Sequence, residues 1–292
     1  SLFIEVTLIH LLSIPMKYQP LSLNRISNLS PSLSQIIKNW GLFGILLLFV
    51  WSCENKASSS QKKILTYKGQ EVIDQAIIAH GQNLFENATL SFSFRDKQYS
   101  ARRSDTSYAY TRSFKDGSAL IEDMLINSTH FSRKKNGVSI EVSKEWADKY
   151  SRSINSVLYF FQLPYLLNDL AVKKTDQGIK QIKGESYHQI KVSFQIENGG
   201  DDFEDEYLYW VNVNNYEIDY LAYNYITDGG GVRFRSAINK RRVDGLLVQD
   251  YINYAPVDKK MPLSDLITQF EKEALIERSR IINSEITLLS NN

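Results

Sequence analysis

The sequence predicts a mainly β (α+β) fold: a strongly curved antiparallel sheet, or half-barrel, with helices packed in its concave face. Three observations predict it. Apolar residues recur at every second position over most of the chain after Ala88, as in half-buried strands. Short turns of Gly, Asn and Asp separate these stretches, and such turns join antiparallel strands because parallel strands need long crossovers. One long segment, Ser143–Leu167, is apolar nearly all round, so we expect it to be buried against the sheet.

The elements begin with a helix at Val72–His80, where apolar residues recur at helical spacing and Gly81 occupies the C-terminal cap position. A strand starts at Ala88. Further strands are predicted at Tyr108–Phe114, Ala119–Ile126, Val138–Val142, Ile190–Ile196, Tyr207–Val213, Ile218–Tyr225, Val232–Asn239, Leu246–Tyr254 and Ile281–Leu289. The segment Ser143–Leu167 interrupts them as a helical island, and a short amphipathic helix, Leu263–Leu275, precedes the last strand. A sheet of about ten strands should curl.

An apolar run, Gly41–Trp51, lies just before the single cysteine, Cys53. The run is too short to span a bilayer, which needs about 20 apolar residues, but it has the length of the apolar core of an export signal. A signal that ends on a lone cysteine and is followed by polar residues resembles a bacterial lipoprotein signal, which implies that Cys53 is acylated and becomes the first mature residue. We therefore expect residues 1–52 to be an upstream extension and signal peptide, 53–66 a linker, and 67–292 a single domain.

An acylated Cys53 would anchor the protein to a membrane, since several buried acyl chains hold far more firmly than one. We expect an outer-membrane lipoprotein of the cell envelope that faces the periplasm or the cell surface. The alternatives are an ordinary cleaved signal, or an uncleaved short anchor with an incidental cysteine. A membrane hairpin that also uses the apolar run Leu2–Ile14 is disfavoured by the prolines between the two runs.

The composition excludes some classes of function. With 34 Lys and Arg against 33 Asp and Glu, the chain has no net field that would attract nucleic acid, so we expect no nucleic-acid partner. A single cysteine permits no internal disulfide, so stability must come from a hydrophobic core. The 17 Tyr and 14 Phe favour β surfaces that carry many aromatic side chains.

Four stretches together resemble the DUF6503 family, a group of envelope lipoproteins of Bacteroidetes: Lys149–Leu170, Asp202–Asn212, Asp219–Arg235 and Val243–Tyr254. The resemblance spans nearly the whole mature chain. It implies an envelope location and a fold similar to the periplasmic lipoprotein carriers LolA and LolB, in which a curled sheet holds inner helices. The family supplies no catalytic residues, so the resemblance implies none here.

Two polar clusters have a functional and a simpler interpretation. An acidic cluster could bind calcium, which prefers six to eight oxygen ligands, but solvated hairpin charge explains it more simply: Asp201, Asp202, Glu204, Asp205 and Glu206. The turn Asp228–Gly231, followed by Arg233 and Arg235, could cradle a phosphate with backbone N–H groups and guanidinium groups. A flexible hairpin turn is the simpler interpretation, with the two arginines paired to Glu204, Glu206 or Asp219.

Metal and enzyme signals are weak. His80, His130 and His188 have no metal-ligand neighbour at helical spacing, and His80 on an apolar helix face is typical of a hydrogen-bonded core histidine. No nucleophile-elbow motif occurs. We therefore expect no metal, no cofactor and no catalytic residue.

The preferred function is the binding or transport of a hydrophobic or amphiphilic ligand, such as a lipid, in a cavity between the sheet and the inner helix. The candidate lining residues are Tyr159, Phe160, Phe161, Tyr165, Tyr209, Trp210, Tyr223 and Tyr225. By alternation Trp210 faces away from Tyr209, and plain core packing is the simpler interpretation of the set. The alternatives are a hydrolase or lyase acting on an envelope glycan or small sugar through Asp202, Glu204 or Asp205, and a structural lipoprotein that docks a partner.

Overall fold

The computed structural model describes residues 55–86, 88–104, 107–194, 206–225 and 230–290, with side chains described except at 55–67 and 83. Over these ranges the helices are α1 (Asn55–His80), α2 (Lys144–Phe161) and α3 (Leu263–Glu271). The strands are β1 (Ala88–Phe94), β2 (Lys97–Arg103), β3 (Tyr108–Asp116), β4 (Ala119–Ile126), β5 (His130–Lys135), β6 (Val138–Ile140), β7 (Val172–Ile182), β8 (Glu185–Phe194), β9 (Tyr207–Asn212), β10 (Ile218–Tyr225), β11 (Gly231–Val243), β12 (Leu246–Ala255), β13 (Ile276–Ile281) and β14 (Asn283–Ser290). Cys53 and the rest of the predicted signal lie outside the described residues.

The strands form two seven-stranded sheets in which every pair is antiparallel. Sheet A has the order β14-β1-β2-β3-β4-β5-β6, and sheet B has the order β13-β12-β11-β10-β9-β8-β7. Only Ile282 separates β13 from β14, so the last segment of the chain passes directly from sheet B into sheet A. The outer strands β6 and β7 do not pair with each other, so the described strands form no closed barrel. The predicted fold class is confirmed, although it is built from two joined sheets rather than one sheet of about ten strands.

A buried carboxylate joins the two sheets. Asp250 on β12 accepts hydrogen bonds from the backbone N–H of Asn283 (2.9 Å) and from Nη1 of Arg241 (3.1 Å). Arg241 also donates from Nη2 to the carbonyl oxygen of Asn283 (2.6 Å). Because Asn283 is the first residue of β14, these bonds hold the start of sheet A against the β11–β12 hairpin of sheet B.

One hydrophobic cluster takes side chains from both sheets and from α1 and α2, so both sheets turn the same side towards these two helices. We call this side the inner face. Gly69 brings α1 against β7, because a Cβ atom at this position would lie 2.9 Å from the backbone of Lys174 and Asp176. A second cluster lies on the opposite side of sheet B, where Leu266 and Phe270 of α3 pack on it. The inner face therefore carries α1 and α2, in agreement with the predicted fold class, whereas α3 packs on the opposite side of sheet B.

The first helix confirms its predicted C-terminal end and extends further at its start. It ends at His80, and Gly81 follows with φ 125°, a conformation that glycine adopts without strain. It begins at Asn55, within the segment 53–66 for which we predicted a linker. Within the described residues, none of the helices combines the length and the apolar character needed to cross a bilayer.

Candidate ligand-binding interior

The first half of α2 is attached to sheet A by an ionic network. Asp123 on β4 has a fully buried side chain and accepts hydrogen bonds from Arg112 (Nε 3.0 Å, Nη2 2.6 Å) and Arg133 (Nε 2.6 Å, Nη2 3.0 Å). Both arginines also contact the helix: Arg112 donates to Ser153 Oγ (3.0 Å), and the Arg133 guanidinium lies 3.7 Å from the ring centroid of Tyr150. The network thereby sets where α2 lies on the inner face.

The second half of α2 is the part that enters the core. The helix is exposed around Trp146 and becomes buried from Ile154 onward, so the expectation that the whole segment Ser143–Leu167 is buried holds only for its later part. Amphipathic patterning gives the reason: the first turns carry Lys and Glu among the apolar residues, and charged side chains remain in water. The buried part presents Leu158, Tyr159 and Phe160 to the inner face.

Seven of the eight predicted lining residues meet on the inner face. Tyr159, Phe160, Tyr165, Tyr209, Tyr223 and Tyr225 are buried members of the inner cluster, and Phe161 packs against it. The Phe160 ring lies 5.2 Å from Tyr223, and Phe161 stacks on Phe92 of β1 at 3.9 Å between centroids. Trp210 does not join them: it is fully buried in the second cluster, 5.8 Å from Phe234. Trp210 directly follows Tyr209 on β9, and consecutive side chains of a strand point to opposite faces, so Trp210 lies on the face that α3 covers.

Hydroxyl groups make this aromatic interior partly polar. The hydroxyls of Tyr159 and Tyr209 are buried near each other, and burial raises the pKa of both well above the ordinary value. Burial likewise raises the pKa of Tyr251, whose hydroxyl accepts a hydrogen bond from Gln249 Nε2 (2.6 Å). These phenols are therefore neutral hydrogen-bond donors at neutral pH.

A buried arginine that sequence reasoning missed joins β2 to the end of α2. Arg103 donates from Nε to Gln162 Oε1 (3.0 Å) and from Nη2 to the Tyr110 hydroxyl (2.8 Å). Its guanidinium also lies 5.6 Å from the ring centroid of Tyr165. The alternation of Tyr99, Ala101 and Arg103 with polar residues was the available signal, because it places this arginine on the apolar side of its strand.

The other predicted sites give a mixed result. Of the acidic cluster only Glu206 is described, and it pairs with Lys191 (2.5 Å) at the surface. The pairing of Arg235 with Asp219 is wrong, because Asp219 contacts Lys240 and accepts a hydrogen bond from the Tyr187 hydroxyl (2.9 Å). In the described ranges no three His, Cys, Asp or Glu side chains lie close enough together to hold a metal ion.

The prediction for His80 as a core residue is confirmed. His80 is buried and its Nε2 accepts a hydrogen bond from the backbone N–H of Ile218 (3.1 Å). Burial, helped by the nearby charges of Lys240 and Arg242, lowers its pKa to about 3. The imidazole is therefore neutral and acts as a hydrogen-bond acceptor.

Solved structures with a similar fold come from several bacteria. A domain named for outer membrane lipoprotein sorting, from Vibrio parahaemolyticus, is 7% identical, with TM-score 0.38, and covers 71% of this chain and 99% of that one. A LolA superfamily protein from Nitrosomonas europaea is 9% identical, with TM-score 0.37, covering 75% and 92%. A DUF1329 family protein from Desulfovibrio piger is 13% identical, with TM-score 0.37, covering 71% and 99%. At these values the similarity does not bear on function.

No curated protein matches the chain. The family of unknown function DUF6503 matches residues 42–283, which is most of the chain and includes Cys53. This match confirms the resemblance seen in the four stretches, while the origin in Bacteroidetes stays a prediction. The chain belongs to the DUF6503 family.

Proposed function

We propose that this protein binds or carries a hydrophobic or amphiphilic ligand between α2 and the inner face, while an acylated Cys53 anchors it to an envelope membrane. The observation that carries the proposal is the aromatic interior with buried hydroxyl groups that α2 and both sheets enclose. Ligand sites in proteins are usually apolar and aromatic, with a few polar groups that fix orientation.

The position of α2 makes it the cover of this interior. The helix is held at its first half by the Asp123 network, and its second half covers the aromatic strands through side-chain packing. Gln162, at its C-terminal end, is joined to Arg103 (3.0 Å) and to the Tyr110 hydroxyl (3.1 Å), so entry of a ligand under the second half of α2 requires these hydrogen bonds to break.

Native mass spectrometry of the protein purified from its own host tests the binding. We expect a co-purified amphiphile in the wild type and in Tyr220→Leu, and its loss or strong reduction in Tyr223→Leu. The two tyrosines lie on the same strand, β10, but Tyr223 belongs to the inner cluster, whereas Tyr220 packs against the second cluster. A ligand-free mass in several wild-type preparations, or equal ligand in both variants, would contradict the proposal.

Metabolic labelling with a fatty-acid analogue tests the anchor separately. We expect label on the wild type and none on Cys53→Ala, because Cys53 is the single cysteine of the chain. Cell fractionation should then find the wild type with the membranes and the variant in the soluble fraction. Equal labelling of the two proteins would rule out acylation at this position.

A further inference from the structure

Arg235 on β11 is a buried cation, and none of the described carboxylates pairs with it. Its side chain is on the inner face, and the residue is 3% exposed. Its guanidinium lies 3.8 Å from the ring centroid of Phe160, and Nη2 donates to the Tyr223 hydroxyl (3.0 Å). Its Nε is buried and has no hydrogen-bond partner. Among the described residues, no carboxylate lies within ion-pair distance of Arg235.

Ion-paired arginines elsewhere in the fold show what is missing at Arg235. Arg112 and Arg133 share the carboxylate of Asp123, and Arg241 is paired with Asp250. A charge taken out of water is costly unless an opposite charge and further hydrogen bonds compensate it. Contact with aromatic rings offsets part of that cost, but it leaves the Nε–H of Arg235 without an acceptor.

The immediate contacts of Arg235 are neutral. Among the described residues, its guanidinium contacts the Tyr223 hydroxyl (3.0 Å) and the rings of Phe160 and Tyr223 (3.8 Å and 5.3 Å to the centroids). Its positive charge also opposes the rise in pKa that burial causes at Tyr209 and Tyr251. A guanidinium whose Nε–H lacks an acceptor in such a neutral, mostly aromatic environment is suited to an anionic group, which accepts charge-assisted hydrogen bonds.

We infer that Arg235 binds the anionic head group of the amphiphile, and that its hydrocarbon tail lies among the aromatic rings of the inner face. This inference rests on the proposed function, and it adds that the ligand is an acid. A carboxylate or a phosphate supplies the required charge: a fatty acid brings the first and a phosphorylated lipid the second. Either one gives Nε the acceptor it lacks and compensates the buried charge.

Binding of three ligands of equal chain length to the delipidated full-length protein tests the inference. Calorimetric titration compares dodecanoic acid, dodecyl phosphate and dodecanol. We expect the wild type to bind at least one of the two acids roughly 10- to 100-fold more tightly than the alcohol, as charge-assisted hydrogen bonds require. Preference for dodecanoic acid identifies a fatty-acid site, and preference for dodecyl phosphate identifies a phosphorylated lipid.

Three variants at two positions of the same strand assign the preference to one residue. Arg235→Met should bind the acid no more tightly than the alcohol, and Arg235→Lys should recover part of the preference. Arg242→Met is the matched control, because Arg242 lies on the same strand but is exposed and donates to the carbonyl oxygens of Gly245 (2.9 Å) and Ala79 (3.0 Å). It should keep the wild-type preference.

The outcomes separate this inference from the proposed function. Equal affinity of the wild type for acid and alcohol, or a preference that survives in Arg235→Met, would overturn the inference and leave hydrophobic binding in place. The comparison of acid with alcohol in the wild type needs no variant, so it tests the inference even where a variant misfolds. Failure of all three ligands to bind would contradict the proposed function and the inference together.

Discussion

Removal of the Asp123 carboxylate should be among the most destabilising single substitutions in this protein. Asp123 accepts four hydrogen bonds from Arg112 and Arg133, whose side chains are only 6% and 12% exposed. In Asp123→Asn the amide has the same shape but no charge, so two buried guanidinium groups lose their compensating anion. Breaking a buried ion pair in this way costs about 3–5 kcal/mol.

Urea unfolding followed by circular dichroism measures this loss as a lower midpoint at an unchanged slope. For a domain of this size it corresponds to a fall in Tm of roughly 6–20 °C. The matched control is Asp148→Asn on α2, which removes the same charge from an exposed pair with Lys144 (2.7 Å) and should change stability by about 0.5 kcal/mol or less.

A compensated variant tests the physical reason. In Asp123→Leu combined with Arg112→Met and Arg133→Met no buried charge remains, and most of the lost stability should return, because well-packed apolar side chains can replace a buried ion network at little cost. The reasoning is refuted if Asp123→Asn costs no more than Asp148→Asn, or if the triple variant is less stable than Asp123→Asn.

Two further predictions concern α1. Because the pKa of His80 is lowered to about 3 in the fold from 6.5, its contribution to stability is complete above pH 6.5 and is lost as the pH falls. This loss should reach about 2 kcal/mol at pH 5 in urea titrations, and it should disappear in His80→Gln but not in the exposed control His130→Gln. Gly69→Ala should lower the free energy of unfolding by about 1–2 kcal/mol despite the better helix propensity of alanine, because its Cβ would meet the backbone of Lys174 at 2.9 Å. Equal stability of Gly69→Ala and the exposed control Glu71→Ala would contradict the close packing of α1 on β7.

Alternation and turn residues predicted the later strands well. Strands β8 to β12 were predicted from two-residue patterns or, for β9, from apolar residues on both faces, with turns of Gly, Asn and Asp between them, and the structure has a strand at each of these places. Strands β2, β5, β7 and β13 were missed because their sequences are dominated by polar and charged residues. The inner side of β2 is nevertheless buried, because Gln162 and Tyr110 bind the guanidinium of Arg103 there. That compensation comes from elsewhere in the chain, so no local pattern reveals it.

The placement of the helices and of Trp210 shows a second limit. All six residues of β9 are buried, which follows from its being apolar on both faces and indicates that both faces are covered. The sequence does not say which helix covers which face: α3 covers the face that carries Trp210, whereas α1 and α2 cover the face that carries Tyr209. Trp210 was included among the candidate lining residues although strand alternation turns it away from Tyr209. Strand order and helix placement depend on contacts between distant segments.

Photo-crosslinking of a bound ligand tests the central claim most directly. The protein is loaded with a fatty acid that carries a diazirine in its tail, irradiated and digested, and the labelled peptides are mapped by mass spectrometry. We predict label on the second half of α2, Ile154–Phe161, and on the inner-face residues Tyr209 and Tyr223. Label confined to the opposite side of sheet B, at Trp210 and Phe270, would contradict the account.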